Sequence, residues 1–187
     1  QRTRVPLTTA AKLNEFINSA HNINGIVAAK KALKYILDNS NSPMETKMAF
    51  IAILPFSMGG YNLPYPFLNP VIRLSPEGSR LLGFATCRGD LVWTQGMVDL
   101  EYDSNLSHLS PEQHSTDKKR ASALALSGYT VISATADQFH HFRDIDALFA
   151  SVRKALKLKP RNELLDKYRD KRWELLRQVF HSDFRPI

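Results

Sequence analysis

Apolar positions recur along this chain in two rhythms, and the rhythm changes near residue 70. Up to there the spacing is helical: Leu13, Phe16 and Ile17 share one side of a helix predicted over residues 9–20. A second helix is predicted over residues 26–37, broken from the first at Asn22-Ile-Asn-Gly25. Ser42-Pro-Met-Glu45 reads as a helix start, with Ser42 as N-cap, Pro43 in the first turn and Glu45 closing a capping box; that helix ends before Pro55. The glycines and prolines between Met58 and Pro66 describe a turn-rich connector.

From Val71 the pattern becomes that of strands: VIRL, an interruption at Pro76-Glu-Gly78, GDLVW, a turn at Gln95-Gly96, and MVDLEYD, together an antiparallel meander. Ser110-Pro-Glu-Gln113 opens a helix that stops at Gly128, and YTVISAT follows as a mostly apolar, buried strand returning in parallel. A helix over residues 137–156 and, beyond Pro160, an amphipathic helix striped with Leu165, Tyr168, Leu176 and Val179 complete the order. The divisions expected are an N-terminal helical segment (1–40), an α/β domain (41–157) and a C-terminal basic helix (158–187). The 187 residues suffice to bury a core.

One strand raises a chemical question. In VDLEYD, Val98, Leu100 and Tyr102 share one face while Asp99, Glu101 and Asp103 share the other, and three like charges on a pleated surface need a cation opposite them. Residues 89–117 hold six carboxylates and no Lys or Arg, so the counter-charge is expected from elsewhere: distant Lys/Arg side chains or a metal ion. The net charge of +7 is concentrated at the other end, where residues 151–187 hold 11 Lys/Arg against 5 Asp/Glu. A basic tail beside an acidic spot suits a protein that meets a polyanion with one part and holds a cation with the other; two solvated charge runs are the plainer alternative. No run of 18 apolar residues exists and the first residues lack a signal peptide's apolar stretch, so neither membrane insertion nor secretion is expected. The lone Cys87 fits a reducing, cytoplasmic setting. With Gln as residue 1, sequence upstream is expected.

Asp90 opens one strand and Glu101 lies on the next across a Gln-Gly hairpin, and adjacent strands can set the two side by side. This arrangement, with a helix following, resembles the PD-(D/E)xK nuclease superfamily. More closely, the stretch from Gly89 to Leu148, with Asp90, Glu101-Tyr-Asp-Ser104, His108, Asp117, Arg120, Leu124, Gly128-Tyr-Thr-Val-Ile132 and Thr135, is similar to the DUF559-type branch related to very-short-patch-repair endonucleases. Two positions depart from that pattern: Asp103 stands for the superfamily's Lys and Ser104 for the branch's Gly.

The resemblance implies a restriction-endonuclease-like mixed sheet flanked by helices and a metal-dependent endonuclease acting on DNA. Asp90, Glu101 and Glu45 would hold Mg²⁺ (or Mn²⁺), and Asp103 and His108 would orient or deprotonate the attacking water. Asp117 and Arg120 would brace the site, while Arg153, Lys154, Lys157, Lys159 and Arg161 would contact phosphates. The alternative is a nuclease-fold protein without catalysis, serving as a nucleic-acid-binding or toxin-antitoxin or phage-defence regulatory module. The helices of residues 9–37 are compatible with DNA reading, and a homodimer is the other association considered. Each residue also has a plainer role: Glu45 in its capping box, Asp90 at the end of the Arg88-Gly89 turn, Asp117 and Arg120 as a surface ion pair, and His108, His140 and His141 on the surface. Trp93 and Tyr102 are expected in the core.

Overall fold

The computed structural model describes residues 7–103 and 111–180, the side chains of 111–115 excepted. The chain divides into two units, Gln1–Asn39 and Ser40–Ile187. In the first, helix α1 (Ala10–Ser19) is capped by Thr9, whose side chain accepts from the Lys12 amide, and α2 (Ile26–Leu33) follows the turn at Gly25. Asp38 accepts from the Ala10 amide at 2.9 Å, tying the two ends of the unit together.

The second unit begins as the Ser-Pro-x-Glu signal requires. Ser42 caps α3 (Pro43–Ile53), accepting from the Glu45 amide, and Met48, Ile51 and Ala52 along it are fully buried. A short 3₁₀ turn (Phe56–Met58) leads to β1 (Phe67–Leu68) and β2 (Val71–Arg73). Helix α4 (Pro76–Leu82) and strands β3 (Thr86–Arg88), β4 (Leu91–Trp93) and β5 (Val98–Asp103) come next. Then α5 (Pro111–Leu126), β6 (Thr130–Thr135), α6 (Phe142–Ala155), α7 (Asn162–Lys167) and α8 (Arg169–Phe180) complete the described order. The four-stranded sheet runs β1-β4-β5-β6, antiparallel except for the parallel pair β5–β6; β2 and β3 form a separate two-stranded ribbon. The architecture is therefore mixed α/β, with a mixed sheet and helices packed on it.

Three expectations change here. VIRL pairs with Thr86–Arg88 and stays outside the main sheet, because Ile72 and Leu74 are buried against Ala123 and Leu124 of α5. The Pro76-Glu-Gly78 interruption is a helix: Ser75 caps it just as Ser42 caps α3, and Gly78 lies so close to α5 that a Cβ there would stand 2.6 Å from the Ala123 carbonyl oxygen. Strand β6 lies at a sheet edge, and only its Ala134 is buried. By contrast β5, the strand between β4 and β6, is covered on both faces: Val98, Asp99 and Leu100 are wholly inaccessible and Glu101 nearly so.

The C-terminal segment breaks at Tyr168 instead of running as one helix. Of the apolar stripe Leu165, Tyr168, Leu176 and Val179 only Leu176 is fully buried, and the anchor is Arg172. Its guanidinium bonds both Asp146 oxygens, at 2.8 and 3.0 Å, and the Leu165 carbonyl at 2.9 Å. Tyr61 donates to the same Asp146 at 2.7 Å and stacks on Phe149.

Candidate functional site: a carboxylate-lined cavity

The register of β4 against β5 pairs Leu91 with Leu100, so the next pair outward is Asp90 and Glu101. Continuing through β5 and β6, Glu101 stands beside Ser133 and Asp103 beside Thr135. These strand ends, the start of α3 and one side of α5 enclose a cavity of about 540 Å³. Glu45, Asp90, Glu101, Asp103 and Asp117 line it with Arg120, and Met44, Tyr102, Leu124 and Val131 supply apolar wall. The structure thus brings to one cavity Glu45, Asp90, Glu101, Asp103 and Asp117, the described carboxylates given a metal, catalytic or bracing role, while Asp99 does not line it. His108 lies outside the described residues.

Each carboxylate is fixed by a nearby element. One Asp90 oxygen accepts from the Tyr102 amide at 2.8 Å, and the Asp90 carbonyl accepts from the Asn69 amide at 2.9 Å. Glu45 accepts from the Asn41 amide at 2.7 Å and from the Asn69 side chain, a variation on the capping box in which the amide preceding the cap is the one satisfied. Arg120 reaches across from α5 to an oxygen of Glu101. Arg120 lies 19 residues on from Glu101, outside the cation-free stretch 89–117, and supplies the counter-charge by direct contact with Glu101. Tyr102 is half-buried at the cavity wall instead of in the core, whereas Trp93 is buried, donating to the Pro64 carbonyl at 2.7 Å.

Asp99 was legible in the alternation but carried no assigned role. It lies one pleat along the same face as Glu101, wholly buried, packed over Gly89 so closely that a Cβ there would be 2.4 Å from its carboxylate. With both groups ionised, neither Asp99 oxygen nor the second Glu101 oxygen is met by a donor side chain among the described residues, and the bond open to the pair is a proton shared between the two carboxyls. Burial pushes Asp99 up to about 6, with the Asp90 charge adding to it and a hydrogen bond from Glu101 and the Arg120 charge opposing; burial and then the neighbouring Asp99 push Glu101 up to about 9, again with Arg120 opposing. Burial also raises Asp90, against the pull of the Tyr102 amide.

Hard carboxylate oxygens suit Mg²⁺ or Mn²⁺, and the buried, donorless oxygen of Glu101 is the kind of atom a cation satisfies. Among the described residues no three His, Cys, Asp or Glu side chains converge as a ligand set. Such a lining offers an ion no more than one or two carboxylates, the rest of its shell being water. Of the tail residues, Arg153 is turned inward onto the Tyr61 and Asn62 carbonyls, while Lys154, Lys157, Lys159 and Arg161 are exposed. No helix among the described residues is long and apolar enough to cross a membrane.

No family model matches the chain, and no solved structure matches it. Among curated proteins it is similar to the DNA-directed RNA polymerase RPB3-11 homologues of African swine fever virus. Those of isolates Tick/Malawi/Lil 20-1/1983 and Tick/South Africa/Pretoriuskop Pr4/1996 are each 31% identical over 130 residues. The match covers 68% of this chain and 35% of each relative, so the chain spans about a third of the length of the proteins it resembles. These relatives overturn the endonuclease expectation: proteins alike over two thirds of this chain carry the name of a polymerase subunit homologue, not of a nuclease or other hydrolase.

Proposed function

We propose that this chain is a nucleic-acid-associated component of a DNA-directed RNA polymerase assembly, working by contacts within a complex. The observation that carries this reading is the 31% identity shared with the RPB3-11 homologues across 130 residues. The polarised charge supports it, because an exposed basic tail gives a route to a phosphate backbone. In the same reading Asp90 and Glu101 hold Mg²⁺ or Mn²⁺, with Glu45 contributing through water, and the ion supplies positive charge that draws a phosphate toward an otherwise repulsive cavity. The mixed sheet with α5 crossing between β5 and β6 is proposed to share the PD-(D/E)xK arrangement as architecture alone.

Reciprocal affinity purification from the native host, with quantitative mass spectrometry, tests the assembly. Stoichiometric recovery of the large polymerase subunits at physiological salt is expected, and their absence from the chain's peak would reject the reading. The cation is tested separately by calorimetric titration of Mg²⁺ and Mn²⁺. Saturable heat in the wild type that disappears in Glu101→Ala is expected, and identical traces from the two proteins would reject the site.

A further inference from the structure

We propose that the outer face of the β2–β3 ribbon, with Phe84 beside it, binds single-stranded nucleic acid, Arg73 and Arg88 meeting phosphates and Phe84 stacking on a base. This rests on the nucleic-acid association proposed above and adds a surface that neither the acidic cavity nor the tail includes. The ribbon's inner face is committed: Ile72 is buried in a cluster with Leu74, Val92, Ala123 and Leu124, and Cys87 packs against that cluster. Its outer face is open, with Val71, Arg73, Thr86 and Arg88 all exposed. The register Val71 to Arg88 and Arg73 to Thr86 makes the two arginines diagonal neighbours, whose Cβ atoms in such a pair lie about 7–8 Å apart.

Nothing described on the ribbon neutralises these charges. The single carboxylate between residues 71 and 88 is Glu77, and it is paired with Arg80. Arg88 makes one long contact, 3.5 Å, to the Asn69 carbonyl. Two like charges on one face are mildly unfavourable unless an anion meets them. A planar guanidinium bonds phosphate through two N–H groups, and a protein carboxylate takes the same fork, so the arginines select an anion and the neighbouring ring selects among anions. Phe84 points the choice toward a single strand. It is 69% exposed at the end of the ribbon, and Val71 is 61% exposed on it. Bases freed from pairing stack on such rings, whereas those in a duplex are already stacked on each other.

The test is fluorescence anisotropy with labelled oligo(dT) and oligo(rU) in parallel, and a blunt duplex, over a range of salt. The full chain is compared with Arg73→Ala/Arg88→Ala, with Phe84→Ala, and with the tail variant Lys154→Ala/Lys157→Ala/Lys159→Ala. All the ribbon side chains replaced are exposed, and thermal melting confirms folding. Losing two phosphate contacts should lower the log–log salt slope on single strands by about 1.4, and Phe84→Ala should weaken binding on the order of tenfold at all salt concentrations. The preferred oligonucleotide tells DNA from RNA. Wild-type chain that binds none of the three removes the nucleic-acid reading and this inference together. Wild-type binding lost in the tail variant and unchanged in both ribbon variants overturns the ribbon alone. Ribbon variants that bind oligonucleotides normally but no longer recover polymerase subunits would make the face a protein interface and overturn it too, as would silent Phe84→Ala with equal loss on the duplex.

Discussion

Asp99 and Glu101 show how far a two-residue period in a sequence reaches. The alternation places both on one face, and that much is legible from VDLEYD alone. What the period does not tell is whether that face meets water, and here both faces of β5 are covered, leaving Asp99 with no exposure at all. Burial comes from the Gly89 backbone lying against the carboxylate and from β6 paired alongside, contacts across the sheet that no local spacing encodes. The consequence is a pH dependence of definite sign. An unfolded chain loses these protons in the ordinary carboxylate range, near 3.8 and 4.5, whereas the folded pair keeps them until about 6 and about 9. Folding therefore takes up protons, and the stability tied to the pair, full below pH 4, is lost as pH rises through 6 and on toward 9. In metal-free buffer the wild type is expected to lose stability between pH 5 and pH 8. Asp99→Asn, of equal shape and without the charge, should gain on the wild type as pH rises, by about 1–2 kcal/mol between pH 5 and pH 8. Urea denaturation at the two pH values decides, and a variant equally destabilised at both would show Asp99 to be a satisfied carboxylate.

At the scale of elements, the capping signals proved the most reliable part of the sequence. Ser42-Pro and Ser75-Pro both start helices, although only the first was read that way, because a seven-residue helix between two strands offers too short a periodicity to be seen. The order of the main strands was legible, while β1, two residues long, and the separation of β2 and β3 from the sheet depend on tertiary partners. The C-terminal helices make the same point about charge. Arg172 looked like one cation among many on a basic tail, yet it is the most buried polar residue of α8, gripping Asp146 of α6 and lying over the Tyr61 and Phe142 rings. Arg172→Met should cost about 3 kcal/mol in chemical denaturation, toward the low end for a broken buried pair because the Asp146 side chain remains 29% exposed and can rehydrate. Removing both charges, in Arg172→Met/Asp146→Leu, should recover part of that loss. A single variant as stable as the wild type would mean that α8 docks through Leu176 and its apolar neighbours alone.

For the whole molecule, the relevant quantity is which cations remain available once the fold has used its share. Residues 151–187 carry a charge of +6 from sequence, 11 positive less 5 negative, but Arg172 is spent on Asp146, Arg177 on Glu174, Lys171 on the Ser57 carbonyl and Arg153 on Tyr61 and Asn62. Lys154, Lys157, Lys159 and Arg161 are left exposed around the turn that joins α6 to α7. Four cations on one turn form a compact patch, and a compact patch attracts a polyanion more strongly than the same charges dispersed. Replacing Lys154, Lys157 and Lys159 with Ala should reduce the log–log salt slope on duplex DNA by about 2 to 3 units, near 0.9 for each phosphate contact removed, with little dependence on base sequence. Stability should move by no more than about 0.5 kcal/mol per site, since these side chains lie on the surface. Salt titrations of duplex binding, read beside melting curves, separate the two effects. A triple variant that binds like the wild type at every salt concentration would leave α6, α7 and α8 as structural elements, and the chain's attachment to any polymerase would then have to run through protein contacts.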